Sequence, residues 1–176
     1  QTYPKQLLDL IQSGTIGDIV VIDHLEPIGD QHFAHSYVRG NWRNEADASS
    51  ALMSKSCHDI DWISAIVGKR ATKVSSFGSL HHFRAENAPA GAGERCVECA
   101  VEADCAFSAK RYLPLFREKG WTWPVDVIAE EPLESAIEAA IETGPYGRCV
   151  YRCDNDVVDH QVVNINGLVP VDFARF

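Results

Sequence analysis

Residues 54–61 read SKSCHDID and gather Lys55, Cys57, His58, Asp59 and Asp61 inside a stretch whose apolar positions, Leu52, Ile60, Ile63, Ile66 and Val67, follow a helical stripe. On a helix Lys55 and Asp59 are four apart and share a face, while Lys55 and His58 are three apart and approach one rim. A histidine so placed takes or donates a proton near neutral pH, and an ammonium beside it orients an oxygen-bearing substrate or steadies developing negative charge. His58 and Lys55 are therefore the candidate catalytic pair, with Asp59 as a polar neighbour. The same spacing also serves an ordinary Lys55–Asp59 helix pair beside a capped histidine.

Two further polar sets could hold a ligand. The segment His32–Glu45, HFAHSYVRGNWRNE, has little regular period and is expected to be a loop. His35, Tyr37, Arg39, Trp42 and Arg43 there supply donors, a cation pair and an aromatic platform suited to a polyhydroxyl or carboxylated molecule. In the second set, Asp156 and His160 share one face if residues 156–165 are a strand, so both could look into one cavity. A solvated sheet face is the plain alternative. No serine or cysteine nucleophile is provably opposite this Asp/His couple, so hydrolysis is not indicated.

Cys96-x2-Cys99-x5-Cys105 is the sharpest metal-like spacing in the chain. Its first pair can bite one zinc ion and the intervening residues can return Cys105, with a fourth ligand from Cys57, Cys149, Cys153 or a histidine. Three cysteines equally suit an incomplete iron–sulfur motif or reduced structural thiols, and the four-ligand CxxC…CxxC signature is absent. Trp121 and Trp123 favour packing or an interface over ligand stacking.

The elements that must carry these groups are legible in outline. Residues 4–12 predict a short amphipathic helix, Asp18–Pro27 a strand rich in β-branched residues, and Ser49–Val67 a long helix stopped by Gly68. Ala71–Leu80 predicts a strand, 107–116 and 132–141 predict helices, and Cys149–Tyr151, Asp156–Ile165 and the terminal LVPVDFARF predict strands, the last an edge strand that tolerates Pro170. This order lacks repeated crossovers of βαβ length and implies an α+β fold with a mostly antiparallel open sheet and helices on one face. Residues 1–176 are expected to form a single substrate-binding and oligomerisation domain, from which the Gly- and Pro-bearing stretch 86–130 departs as a cysteine-containing excursion.

Composition narrows the function classes. At 176 residues with 45% hydrophobic and 23% charged content, the chain is long enough to build a core without staples. The formal charge of -9 repels a phosphate backbone, so nucleic acid is not an expected partner. No apolar run approaches a bilayer span, and residues 1–20 lack a secretory pattern, so a cytoplasmic protein without a membrane partner is expected. Neither GxGxxG nor GxxxxGK[ST] occurs, which argues against a nucleotide-binding domain in this piece.

HSYVRGNWR, KSCHDID, VSSFGSLHHF and YGRCVYRCDNDVVDHQVV, in this order, resemble the C-terminal domain of the Gfo/Idh/MocA oxidoreductases, and with the SGTIGDIVVIDH entry the resemblance covers nearly the whole chain. It implies a dihydrodipicolinate-reductase-like domain on a large open sheet that binds substrate and forms a homodimer or higher oligomer. It also implies a separate N-terminal Rossmann domain for NAD or NADP, whose glycines and Glu-Lys-Pro lysine would lie before Gln1. The family's helix motif ends in a histidine that falls on His58. Its preceding aspartate falls on Ser54 and its glycines on Ala48-Ser49-Ser50, so the usual Asp–His partnership is altered, with Lys55 and Asp59 as candidate replacements. Trp42-Arg43 resembles a substrate-side position. The implied activity is hydride transfer to or from a sugar, cyclitol or related hydroxylated substrate, with the isolated chain inactive. The alternative is a non-enzymatic interaction domain with a zinc-stabilised excursion.

Overall fold

A computed structural model describes residues 2–166 and the short strand Val169–Pro170. In chain order it comprises α1 (Thr2–Gln12), α2 (Asp30–Phe33) running into a π-helical turn at Ala34–Arg39, α3 (Ala51–Ser54), α4 (Cys57–Val67), β1 (Lys69–Arg70) and β2 (Lys73–Ser79). Short 3-10 turns then lead to α5 (Tyr112–Lys119), α6 (Val125–Ile128), α7 (Glu134–Thr143), β3 (His160–Asn166) and β4 (Val169–Pro170). Helices with small antiparallel pairs make the fold α+β. The pairing is narrower than a large open sheet: among the described residues β1 pairs antiparallel with β4, Lys69 opposite Pro170, and β2 pairs with β3. Thr72 N–H donates to Asn166 O at 3.2 Å and Asp159 N–H to Ser79 O at 3.2 Å, which makes the β2–β3 ladder antiparallel as well. The remainder of the terminal stretch expected as an edge strand lies outside the described residues.

The chain divides into two compact units. Residues up to Pro27, Lys55–Phe77 and the stretch from Val162 form the first; Ile28–Ser54 and Gly78–Gln161 form the second. The second holds both hydrophobic clusters. One joins Phe33, Ala34, Tyr37, Val38, Phe83, Val150 and Val157; the other joins Ala109, Tyr112, Val125, Ile128, Ile137, Ile141 and Tyr146. In α7 the four-residue spacing of Ile137 and Ile141 puts both on the buried face, and Arg95 Nη2 caps its last turn by donating to Ile141 O at 2.9 Å. Gly147 is required beside that cap, because a Cβ there would meet Ile141 O at 1.6 Å.

Four local expectations are corrected. Asp18–Pro27 joins no ladder, and Val20, Val21 and Leu25 are 95%, 74% and 83% exposed. β-branched residues fit a pleated surface, but a strand exists only where a neighbour takes up its backbone groups, and none is supplied here. The helix expected over Ser49–Val67 breaks at Lys55–Ser56, where Ser56 adopts φ -90° and ψ 10°, and Ser54 Oγ turns back onto Ser50 O at 3.1 Å. Gly68 caps α4 in the left-handed region at φ 63°, as its position predicts. The segment at His32–Glu45 is largely helical rather than a loop, because its apolar residues Phe33, Ala34, Tyr37 and Val38 share one buried face. Finally, Cys149–Tyr151 is a turn entered from an isolated Arg95–Arg148 bridge, and β3 begins only at His160.

Candidate functional site

The first unit concentrates its polar chemistry at the start of α4. Lys55 Nζ donates to Glu26 Oε1 at 3.0 Å, so its partner is a residue of the preceding extended segment and not Asp59. His58 is exposed, and its Nε2 lies 3.5 Å from Asp59 Oδ2 and 4.0 Å from Glu26 Oε1. Asp59 is 7% exposed. Its Oδ1 is 3.0 Å from His24 Nε2, and its buried Oδ2 has no hydrogen-bond partner. An accessible imidazole backed by two carboxylates can accept a proton, and the buried carboxylate stabilises the imidazolium that results.

His24, Glu26 and Asp59 also offer one ligand atom each within 4.8 Å of one another, which among the described residues is the one such set. The Lys55 ammonium already supplies a positive charge to Glu26 there. His24 and Glu26 were not legible as members of this site. They sit in DIVVIDHLEP, whose β-branched run signals a strand and gives no hint that its polar positions turn toward α4.

The second unit holds the remaining expected residues, and most of them serve the protein itself. His35 is 3% exposed: its ring stacks on Tyr146 at 4.6 Å, its Nδ1 lies 2.8 Å from Tyr112 Oη, and its Nε2 is buried without a partner. Burial, with help from Arg39 and His32, pushes its pKa down to about 4, so the ring is neutral. The π-helical turn that carries it is closed by Gly40, where a Cβ would lie 2.7 Å from His35 O. Tyr37 is buried and donates to Ser54 O at 3.2 Å. Arg39, 3% exposed, donates from Nε to Arg148 O at 2.7 Å and from Nη2 to Phe107 O at 2.9 Å and Cys96 Sγ at 3.4 Å.

Trp42 is half-exposed. Arg43 Nε and Arg148 Nη1 converge on Asp154 Oδ1 at 3.1 and 2.6 Å, and these two guanidinium bonds hold the Asp154 carboxyl down to about 2. Asp156 and His160 do not share a strand face. Asp156 precedes β3 and accepts from Glu45 N–H at 2.8 Å, whereas His160 places Nε2 3.2 Å from Ser79 Oγ and Nδ1 3.0 Å from Asp159 Oδ1. The candidate residues are thus divided: His58, Lys55 and Asp59 in the first unit, the others in the second.

Cys96, Cys99 and Cys105 also belong to the second unit, where they line one cavity with Cys149, Arg39, Glu102 and Val150. None of the six cysteines is in a disulfide.

No described helix is long and apolar enough to cross a membrane. Residues 5–110 match the family model of the GFO/IDH/MocA C-terminal domain. No curated protein and no solved structure shows significant similarity to the chain.

Proposed function

The chain belongs to the Gfo/Idh/MocA oxidoreductase family through its C-terminal domain, and we propose that it is the substrate-binding domain of an NAD(P)-dependent enzyme that moves hydride to or from a sugar, cyclitol or related hydroxylated molecule. The observation that carries this reading is the accessible His58 imidazole, with Nε2 3.5 Å from the buried Asp59 carboxylate. In the oxidative direction His58 takes the proton from a substrate hydroxyl, and Asp59 stabilises the charged ring. In the reductive direction the same nitrogen returns the proton. Lys55, held by Glu26, points a positive charge at oxygen that becomes more negative as the proton leaves.

On this reading the nicotinamide is held by a separate Rossmann domain, as the family resemblance implies, and the proton is this chain's contribution. Exposed apolar side chains on the first unit, including Val20, Val21, Leu25, Val74 and Val162, support assembly with that domain or with a second copy of the chain.

The test is a dehydrogenase screen over polyols and sugars with NAD and NADP, run on the polypeptide joined to its nucleotide-binding domain, with His58→Ala as control. The reading requires turnover that the substitution lowers by roughly 10²–10⁴-fold. Unchanged turnover in the variant removes His58 from proton transfer, and turnover by the 176-residue chain alone removes the need for a second domain.

A further inference from the structure

The stretch Asp18–Pro27, which joins no ladder, delivers two polar side chains to the start of α4. His24 and Glu26 stand two positions apart, the spacing that puts side chains on one side of a stretched backbone, and Leu25 between them is 83% exposed. His24 Nε2 lies 3.0 Å from Asp59 Oδ1, and Glu26 Oε1 accepts from Lys55 Nζ at 3.0 Å. These contacts tie the segment to α4 where backbone pairing does not. All four residues belong to the first unit.

One donor atom from each of His24, Glu26 and Asp59 lies within 4.8 Å of the other two. Bonds of about 2.1 Å to one ion set neighbouring nitrogen and oxygen donors roughly 3.0–3.4 Å apart, so the His24–Asp59 pair at 3.0 Å is already at ligand spacing. Glu26 is exposed and free to close the remaining distance. A second observation is independent of spacing. The Asp59 side chain is 9% exposed, and its Oδ2 is sealed from solvent with no hydrogen-bond partner. His58 Nε2 stands at 3.5 Å without bonding it, and Lys55 is committed to Glu26. A buried carboxylate oxygen in this state is costly unless its charge is paired or bonded to a metal.

The donors select the class of ion. One imidazole nitrogen and two carboxylates, with no sulfur, suit a divalent first-row ion and not a soft one. A carboxylate offers about four acceptor positions, so Glu26 can ligate while Lys55 holds Oε1, and the set with Lys55 keeps a net negative charge. His24 and Glu26 are exposed, so three protein ligands leave the ion's outer positions open to solvent, as in reactive rather than structural sites. We propose that His24, Glu26 and Asp59 hold one divalent transition-metal ion whose open positions take an oxygen of the hydroxylated substrate beside His58. The metal-binding half of this stands by itself; the substrate half rests on the proton transfer assigned to His58.

The experiment titrates the EDTA-stripped 176-residue chain with manganous chloride, a hard ion that avoids the cysteines of the second unit, and follows binding by calorimetry and by loss of the free Mn(II) resonance signal. The expected result is about one manganese per chain. His24→Ala should weaken binding at least roughly tenfold, the loss that even a residue behind the ligands causes. Circular dichroism checks the fold, and Glu26→Gln serves if His24→Ala does not fold. Asp61→Asn removes an exposed acid of α4 outside the set and should bind as the parent does. No stoichiometric binding, or parent affinity in the folded ligand variant, overturns the site. Equal weakening in Asp61→Asn and the ligand variant assigns the binding to a diffuse acidic surface and overturns it too. In the chain joined to its nucleotide-binding domain, EDTA should lower turnover and manganese restore it; binding without that effect overturns the substrate role alone. A chain that binds no manganese yet turns over substrate through His58 loses this site and keeps the earlier reading.

Discussion

Asp59 Oδ2 lies 3.5 Å from Nε2 of His58, while Oδ1 of the same carboxylate lies 3.0 Å from His24 Nε2. One buried carboxylate therefore serves two imidazoles, and the accessible one is left to face solvent. In the proposed mechanism Asp59 takes the charge-stabilising role of the family motif's aspartate, whose position falls on Ser54 in this sequence.

If Asp59 positions and stabilises His58, Asp59→Asn should lower kcat roughly tenfold or more while leaving KM and thermal stability close to those of the parent. The assay is steady-state kinetics in the presence of the nucleotide-binding domain. A rise in KM with kcat unchanged would assign Asp59 to substrate binding instead.

His35 stores a pH dependence of stability in the second unit. Its folded pKa is about 4, against 6.5 in an unfolded chain, so between those values the unfolded chain binds a proton here that the folded chain does not. Stability is complete above pH 6.5, falls as the pH drops through this window, and has lost about 3 kcal/mol from this group below pH 4. Urea denaturation across that range should show the fall, and a folded His35→Gln variant should flatten it.

Asp159 organises the turn between β2 and Phe83. Burial raises its pKa, but His160 Nδ1 and the amides of His82, His81 and Phe83 outweigh that and hold the carboxyl below its ordinary value. Because the folded pKa is depressed, its stabilisation is present above the unfolded carboxylate range and is lost as pH falls through the folded value. Asp159→Ala leaves several amides without their acceptor and should cost about 2 kcal/mol at neutral pH, measured by the urea midpoint.

Ile137 is fully buried in the cluster formed with Val125, Ile128 and Ile141. Ile137→Ala should destabilise the second unit by about 3 kcal/mol, through lost burial and the cavity left behind. Hydrogen exchange should localise the loosening to α5, α6 and α7, with the amides of α4 protected as before.

The local sequence determined what depends on neighbours a few residues away. The apolar spacing of residues 4–12, 49–67 and 132–141 and the glycine after Val67 predicted helices and a stop that the structure contains, the second interrupted at Lys55–Ser56. Its polar pattern also singled out His58, Lys55 and Asp59, and the CxxC-like spacing singled out Cys96, Cys99 and Cys105. Tertiary structure decided the partners, because hydrogen bonds and ligation depend on distance in space and carry no signature in spacing. Lys55 went to Glu26, 29 positions away, and not to the Asp59 that helical arithmetic offered. Cys149, one of several possible fourth cysteines, reached the cavity only through the bridge from Arg95 to Arg148. His35 and Arg39 carry polar groups that composition assigns to a surface, yet both lie in the core, since stacking and hydrogen bonds from Tyr146, Tyr112 and the carbonyls of Phe107 and Arg148 offset the cost of removing them from water.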